Sequence, residues 1–432
     1  MRFPGSRKTK HYFPVNSEGR VPFEYSHENQ SGNYIVGVDQ LIVDIEVHVP
    51  EDFLVKHDIP KGESIVCSDE FVDGLISNFD DSVVVAGEFA GGAIGNTLHN
   101  FSVLSDNRSV AFGTISKNIS VGDYAFKYIC STNSHVDFSY LKPFPGKMGR
   151  ALCLITPDNE RSFVLSKGIM NELTEDFINE EIIERSSALL VSAFLLRADD
   201  SSLFQATMKA INVAKEMNVP VVLCMGTSSL IAEKREFFKK LIKDKVNILA
   251  GNFDEFKSLF ELDDPLLLLD KSLELSDLSL LTVGARGLYV GGHCDEENLR
   301  QTKDNIHSKT ISEYNLYEYS RAMLKQDCKS PVKIYTHINP FLGGPTMIKN
   351  TNGAGDAALS ALLHDLAAND YHREKCSTSS KHKFKCLTYS SIHQICKYCN
   401  RVSYEVLKQN SPRLSRGLPY KEDCLEEEYW AL

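Results

Sequence analysis

Apolar residues along this chain keep two rhythms. In some stretches they gather in short β-rich runs bounded by glycine, proline and polar residues. In others they recur every third or fourth position, as a half-buried helix requires. Tyr34–Val49 contains an apolar-rich strand pair and Val83–Phe89 a further strand, after which a glycine turn opens the helical pattern Ala93–Leu104. Ser109–Ile115 predicts a strand, with a helix near Asp123–Cys130. Ala151–Thr156 and Ser162–Ser166 predict a hairpin, because Pro157-Asp158-Asn159-Glu160 between them has turn chemistry.

From Ala188 onward the alternation is regular. Strands Ala188–Ser192, Val219–Cys224, Val246–Ala250 and Leu278–Val283 are separated by helical patterns at Leu203–Met217, Ser229–Ile242 and Phe253–Phe260. Such βαβ alternation predicts an α/β fold, a mostly parallel sheet with helices on both faces. Two long helices follow, Ala354–Ala368 and about Leu387–Lys408. The polar, irregular stretch His293–Lys349 and the Lys-, Ser- and His-rich Asp370–Lys385 break the pattern and read as insertions or mobile loops near a site. No internal repeat is present.

The 432-residue length suits one large domain with a smaller appendage, or two or three separate domains. With 42% hydrophobic and 24% charged residues, disorder, collagen and coiled coil are excluded as the main state. A formal charge of −11 speaks against a polynucleotide partner. The basic clusters Arg7-Lys8-Lys10 and Lys381-His382-Lys383-Lys385 read as solvated surface or anion contacts. Eleven scattered cysteines, with no secretory signal ahead of them, suit free thiols in a reducing cytoplasm. Cys396 and Cys399 form a CxxC, but it sits in an amphipathic helical pattern and no second CxxC completes a zinc tetrad, so they read as helical thiols. No apolar run is long enough to span a membrane.

The strongest chemical signal is Asn350-Thr351-Asn352-Gly353-Ala354-Gly355-Asp356 at the start of a helical run. Glycines there let backbone N–H groups converge on an anion, and the helix dipole adds positive potential. A carboxylate beside an anion hole needs a reason, and phosphoryl transfer supplies one: the acid takes the proton of the attacking hydroxyl. The other reading of Asp356 is a helix cap. No Walker A loop is present, so a phosphotransferase would hold its nucleotide otherwise. Thr282-Val283-Gly284-Ala285-Arg286-Gly287 suits a nucleotide contact, or is an ordinary turn between strands.

Gly91-Gly92-Ala93-Ile94-Gly95-Asn96 gives a tight turn and an amide able to meet sugar hydroxyls. Asp44, inside the apolar run Leu41–Ile45, is either a strand-end residue or a carboxylate partnered by vicinal hydroxyls. Asn252 and Glu255 follow a strand at the sheet edge where α/β folds bind ligands, or simply cap a helix.

Taken in order, Gly37 with Asp44, Gly91-Gly92 with Asn96, Asn252 with Glu255, Thr282-x-Gly284-x-x-Gly287 and Gly353-Ala354-Gly355-Asp356 resemble the ribokinase-like (PfkB) sugar and nucleoside kinases, from about Tyr34 to Val406. Phe3-Pro4-Gly5, Lys10-His11-Tyr12-Phe13-Pro14-Val15-Asn16, Lys381-His382-Lys383-Phe384 and the tail Ser411–Pro419 are similar to the bacterial branch that acts on inosine and guanosine. The resemblance implies a three-layer ribokinase-like domain over 34–432 behind an N-terminal extension, 1–33. A small β-sheet lid would come from Tyr34–Val49 and Ala151–Ser166. It also implies a cytoplasmic enzyme that passes the γ-phosphate of ATP to a purine nucleoside 5′-hydroxyl, and it leaves room for a homodimer.

By the same resemblance Asp356 would be the base, and the amides of Gly353, Ala354 and Gly355 the anion hole. Asp44, Gly91, Gly92 and Asn96 would hold the ribose, and Arg161 would approach the transferring phosphate from the lid. Asn252 and Glu255 would organise Mg²⁺ and its waters, with Thr282, Gly284, Gly287 and Asn400 lining the ATP site. Where the family's motif opens with Asp this chain has Asn350, which bears on any activation by potassium. Competing readings are the same chemistry on adenosine or a free sugar, a non-catalytic nucleoside sensor, and a dinucleotide-dependent oxidoreductase. The last would want GxGxxG in the first βαβ unit, and none is there.

Overall fold

Valine, isoleucine and leucine runs buried on both faces form the centre of the sheet, as parallel strands covered by helices on each side require. The computed structural model describes residues 33–158, 160–302, 311, 314–340 and 348–418. The extension expected over 1–33, apart from Asn33, and the motifs between Phe3 and Asn16 lie outside the described residues.

In chain order the strands are β1 (Ile35–Val38), β2 (Ile42–His48), β3 (Ser64–Cys67), β4 (Val84–Ala90) and β5 (Ser109–Ser116). Next come β6 (Val136–Asp137), β7 (Leu141–Phe144), β8 (Gly149–Ile155), β9 (Arg161–Ser166) and β10 (Ala188–Ser192). The last are β11 (Val221–Cys224), β12 (Ile248–Asn252), β13 (Leu278–Thr282), β14 (Leu288–Asp295) and β15 (Pro331–Ile338). The large sheet runs β15-β14-β13-β12-β11-β10-β1-β5-β6, with β7 also on β5. It is parallel from β13 to β6 and antiparallel at the β14 and β15 edge. The small sheet runs β3-β9-β8-β2-β4.

The expected range Tyr34–Val49 therefore divides. β1 is buried on both faces and joins the middle of the large sheet. β2 alternates, burying Val43, Ile45 and Val47 while Asp44 and Glu46 stay partly open, and it belongs to the small sheet. That sheet also takes β3 and β4, which lie outside both ranges from which a lid was expected.

The stretch His293–Lys349 is less irregular than its polarity suggests. It carries the end of β14 and all of β15, an edge strand with one paired side, where apolar residues need not dominate. The helix expected over Ala354–Ala368 continues to Lys375, into the second presumed insertion. The rest of that segment is tied by Arg321, whose guanidinium donates to the Lys381 carbonyl at 2.6 Å, the Thr388 carbonyl and the Asn369 side chain. The helix expected over Ser229–Ile242 is two, Ser228–Glu233 and Arg235–Lys245. The last helix begins at Ile392, where the Ser391 side chain accepts from the Gln394 amide as an N-cap. Cys396 and Cys399 are both buried on it.

Helix Ala354–Lys375 is buried from Ala357 to Asn369, so it runs through the interior rather than over it. It packs between helix Ile392–Leu407 and helix Ala93–Ser105. Its first turn is thereby held at the carboxyl edge of the parallel strands.

The turn from β13 into β14 must pass under the end of β15. Gly287 has φ +88 and ψ −146, and a Cβ there would stand 2.0 Å from the Ile338 carbonyl oxygen. Gly287→Ala is expected to cost about 1–3 kcal/mol through that backbone strain. It should lower Tm accordingly. A melting curve unchanged from the parent would show that the turn relaxes freely.

Candidate active site

Gly353 takes φ +78 ahead of helix Ala354–Lys375, and no side chain caps that terminus. The first-turn amides are left to serve whatever anion lies before them. A Cβ on Gly353 would meet the Pro412 carbonyl oxygen at 2.4 Å, whereas one on Gly355 would meet nothing within 4 Å. Gly355, Ala354 and Asp356 line a cavity of about 930 Å³, large enough for a nucleotide.

Asp356 keeps some surface toward this cavity, yet protein surrounds it densely. Burial pushes its carboxyl up to about 7, helped by Asp44 and Asp39, while Asn96 and Arg413 pull the other way. The Asn96 Nδ2 donates to Asp356 Oδ2 at 3.0 Å. Asn96 sits in the first turns of helix Ala93–Ser105, which Gly92, at φ +87, lets start sharply.

Asp44 reaches in from β2 of the small sheet. Its carboxylate lies against Gly91 so closely that a Cβ there would be 2.3 Å from Oδ2. Burial raises the Asp44 carboxyl to about 7 as well. Asp44, Gly91, Gly92 and Asn96 thus stand together on one side of Asp356, away from the large cavity.

On the other side, Asn252 and Thr282 are register partners at the carboxyl ends of β12 and β13, and both line the cavity with Gly284, Gly287 and Asn400. Asn400 donates to the Asn339 carbonyl at 3.2 Å. Glu255 closes a capping box: it accepts from the Asn252 backbone N–H at 2.8 Å and side-chain amide at 2.9 Å, while Asn252 Oδ1 accepts from the Glu255 N–H. The capping reading of this pair is correct, and it coexists with a place on the cavity wall. Burial lifts the Glu255 carboxyl to about 7, and the charge of Asp356 adds to the rise.

The small sheet bears down on the glycine loop at two points. Arg161 Nη1 donates to Asn352 Oδ1 at 3.3 Å, and Asn350 Nδ2 donates to Glu46 Oε1 at 3.1 Å. Asn350 also donates to the Asn410 carbonyl at 2.7 Å, and its Oδ1 accepts from the Asn352 N–H at 2.9 Å.

Sequence reasoning gave no role to Asp39 or Arg413. Asp39, just past β1, is buried, and its carboxyl is pushed up to about 6 by that burial. Arg413 comes from the tail and donates through Nε to Asn96 Oδ1 at 2.9 Å. Its signal was the run Ser411-Pro412-Arg413-Leu414, which no periodicity places beside Asn96. Among the described residues, no helix is long and apolar enough to cross a membrane.

The pfkB family carbohydrate kinase model matches residues 77–306 of the chain. Over 432 residues, the full length of both chains, the sequence is 48% identical to the guanosine-inosine kinase of Escherichia coli K12. A probable sugar kinase from Rhizobium etli CFN 42 superposes with a TM-score of 0.65 at 18% identity, covering 92% of this chain and 99% of that one. An adenosine kinase from Sinorhizobium meliloti does so with 0.63 at 19% identity, covering 88% and 95%. At those identities the structures bear on the fold alone.

The raised acids set a pH signature. A carboxyl whose folded pKa lies above its unfolded value contributes stability below the unfolded pKa, and that contribution is lost as pH rises through the folded one. For Asp356 the window runs from the ordinary carboxylate value, 3.8, to about 7. Asp356→Asn removes the loss, so its Tm advantage over the parent should grow between about pH 4 and pH 7. A constant gap in thermal melts across that range would mean Asp356 titrates normally.

Proposed function

The chain belongs to the pfkB family of carbohydrate kinases, and from that premise we propose that it transfers the γ-phosphoryl group of ATP to the 5′-hydroxyl of guanosine and inosine. The products are the nucleoside 5′-monophosphate and ADP. The observation that carries this reading is identity of 48% to a guanosine-inosine kinase across the whole of both chains. Adenosine is the rival acceptor, because adenosine kinases share the fold, but at no more than 19% identity among the structures compared.

The nucleoside lies under the small sheet, its ribose against Asp44, Gly91 and Gly92. The Asn96 amide is already turned toward Asp356, and its second N–H serves a ribose hydroxyl. Asp356 takes the proton of the 5′-hydroxyl as the O5′–phosphorus bond forms and the bond from phosphorus to the β,γ-bridging oxygen breaks. The electron pair leaves on ADP. A carboxyl with pKa near 7 suits this work, since it is ionised enough to accept and basic enough to pull. The amides of Gly353, Ala354 and Gly355 meet the charge on the transferring group, and Arg161 approaches it from the small sheet. That sheet excludes water and so limits wasteful hydrolysis of ATP.

Bound with ATP, Mg²⁺ would supply charge that neutralises the phosphates. Asn252 and Glu255 fit its hydration shell, since the buried Glu255 carboxyl on the cavity wall gains from a nearby cation. Potassium is assigned no step. The Asn350 amide, which stands where the family has Asp, is committed to Glu46, Asn410 and Asn352. Buried free thiols such as Cys153, Cys224 and Cys294 suit the reducing, ATP-rich cytoplasm.

The test is ADP release from Mg-ATP with guanosine, inosine, adenosine and ribose as separate acceptors, with and without potassium. Turnover confined to guanosine and inosine is expected; turnover with adenosine or ribose alone would move the acceptor, and silence would favour a sensor. Asp356→Asn should lower kcat by about 10²–10⁴-fold with nucleoside binding retained. Asp44→Ala should instead raise the KM for nucleoside, and an unchanged KM would remove Asp44 from the ribose site.

A further inference from the structure

The chain past helix Ile392–Leu407 does not leave the protein. It turns back beneath the glycine loop. The Lys349 N–H donates to the Leu407 carbonyl at 2.9 Å, Asn350 donates to the Asn410 carbonyl, and Pro412 fills the space that a Cβ on Gly353 would need. Leu414 is then pinned from two sides. Its N–H donates to Asn100 Oδ1 at 2.8 Å, and its carbonyl accepts from His99 Nε2 at 2.9 Å. His99 Nδ1 accepts from the Asn133 N–H at 3.0 Å, so the ring is neutral with its proton on Nε2.

Between these anchors Arg413 enters a closed chamber. Nε donates to Asn96 Oδ1, Nη1 to Thr132 Oγ1 at 2.6 Å, and Nη2 to the Tyr128 hydroxyl at 3.1 Å and the Gly91 carbonyl at 3.3 Å. The guanidinium lies over the Tyr128 ring, 4.9 Å from its centroid. Gly95 leaves the room required, since a Cβ there would be 2.9 Å from Nη2.

We propose that Arg413 is a positioning residue for phosphoryl transfer: it fixes which way the Asn96 amide faces, and so holds Asp356 in place for the acceptor hydroxyl. This rests on Asp356 being the base. Arginine only donates, so Oδ1 of Asn96 must face it and Nδ2 must face Asp356. Reversed, the amide would set an oxygen against a carboxylate. Arg413 touches neither the base nor the cavity. Its charge also bears on every titratable group around it: it draws down the pKa of Asp356, Asp44 and Asp39, and it disfavours a second proton on His99. Tyr128, the remaining titratable neighbour, donates to Asp39 at 3.3 Å.

The experiment compares Arg413→Met, Arg413→Lys, Asn96→Ala, the Arg413→Met/Asn96→Ala double variant and Asp356→Asn, each in the full chain. Arg413→Met is expected to lower kcat by about 10–100-fold. It should also move the acid limb of the kcat/KM profile up by about one pH unit. The double variant should be no worse than the poorer single one, because the two act as a unit. Arg413→Lys keeps the charge without the fork, so its kcat should fall while the acid limb stays put. That arm and Asn96→Ala keep the test valid if Arg413→Met fails to fold.

Additive losses in the double variant, or an unmoved acid limb in Arg413→Met, would overturn the proposal. So would a fall in Tm alone. Full turnover in Asp356→Asn would overturn the assignment of the base instead, which separates the two failures.

Discussion

A carboxylate held out of water costs several kcal/mol unless charge and hydrogen bonds replace its hydration. Asp39 is held so outright and Asp44 and Asp356 in large part, and the three converge at the heart of this protein. The arrangement around them follows from that constraint. Asn96 and Tyr128 supply hydrogen bonds and Arg413 supplies opposite charge. Compensation is partial, and the remainder appears as carboxyls whose pKa lies at about 6 to 7. In the role proposed for Asp356 that remainder would be useful, because a carboxylate solvated as in water is a weak base toward a hydroxyl.

The sheet decides where this chemistry can stand. Parallel strands end together, so Asn252 on β12 and Thr282 on β13 reach the same edge as the start of helix Ala354–Lys375. One helix terminus then serves two purposes, with amides aimed at an anion and an acid one position beyond them. The small sheet completes the enclosure from above, and its contacts through Glu46 and Arg161 fall on the glycine loop itself. The small sheet and the start of helix Ala354–Lys375 are thus coupled through a few positions of the glycine loop.

Much of this was legible in the sequence. The βαβ alternation gave the large sheet, and the placement of Asp356 beside Gly353 and Gly355 needed only local chemistry. Asn252 and Glu255 were ambiguous between cap and ligand edge because one geometry satisfies both. What was missed depends on distance or on partial burial. Asn96 and Arg413 are 317 positions apart, and nothing in either local pattern announces the pairing. β15 was hidden because an edge strand need not be apolar, and the strand pair β1 and β2 was assigned to one sheet because the three residues between them, Asp39 to Leu41, do not break the apolar range. The role expected of Asn96 at the ribose overlooked its bond to Asp356, since sequence proximity to Gly92 says nothing about which partner an amide will choose.

The late position of Arg413 has a consequence for synthesis. A chain leaves the ribosome from its N-terminus, and folded regions form as they emerge. The helix bearing Asn96 appears long before the arginine that orients its amide, and the glycine loop appears before the tail that backs it. A nascent chain can therefore gather its sheet and its large cavity while Asn96 still lacks the arginine that orients it. If Asp356 is the base proposed above, its orientation through Asn96 is completed only once Arg413 has been made, later than the cleft it serves.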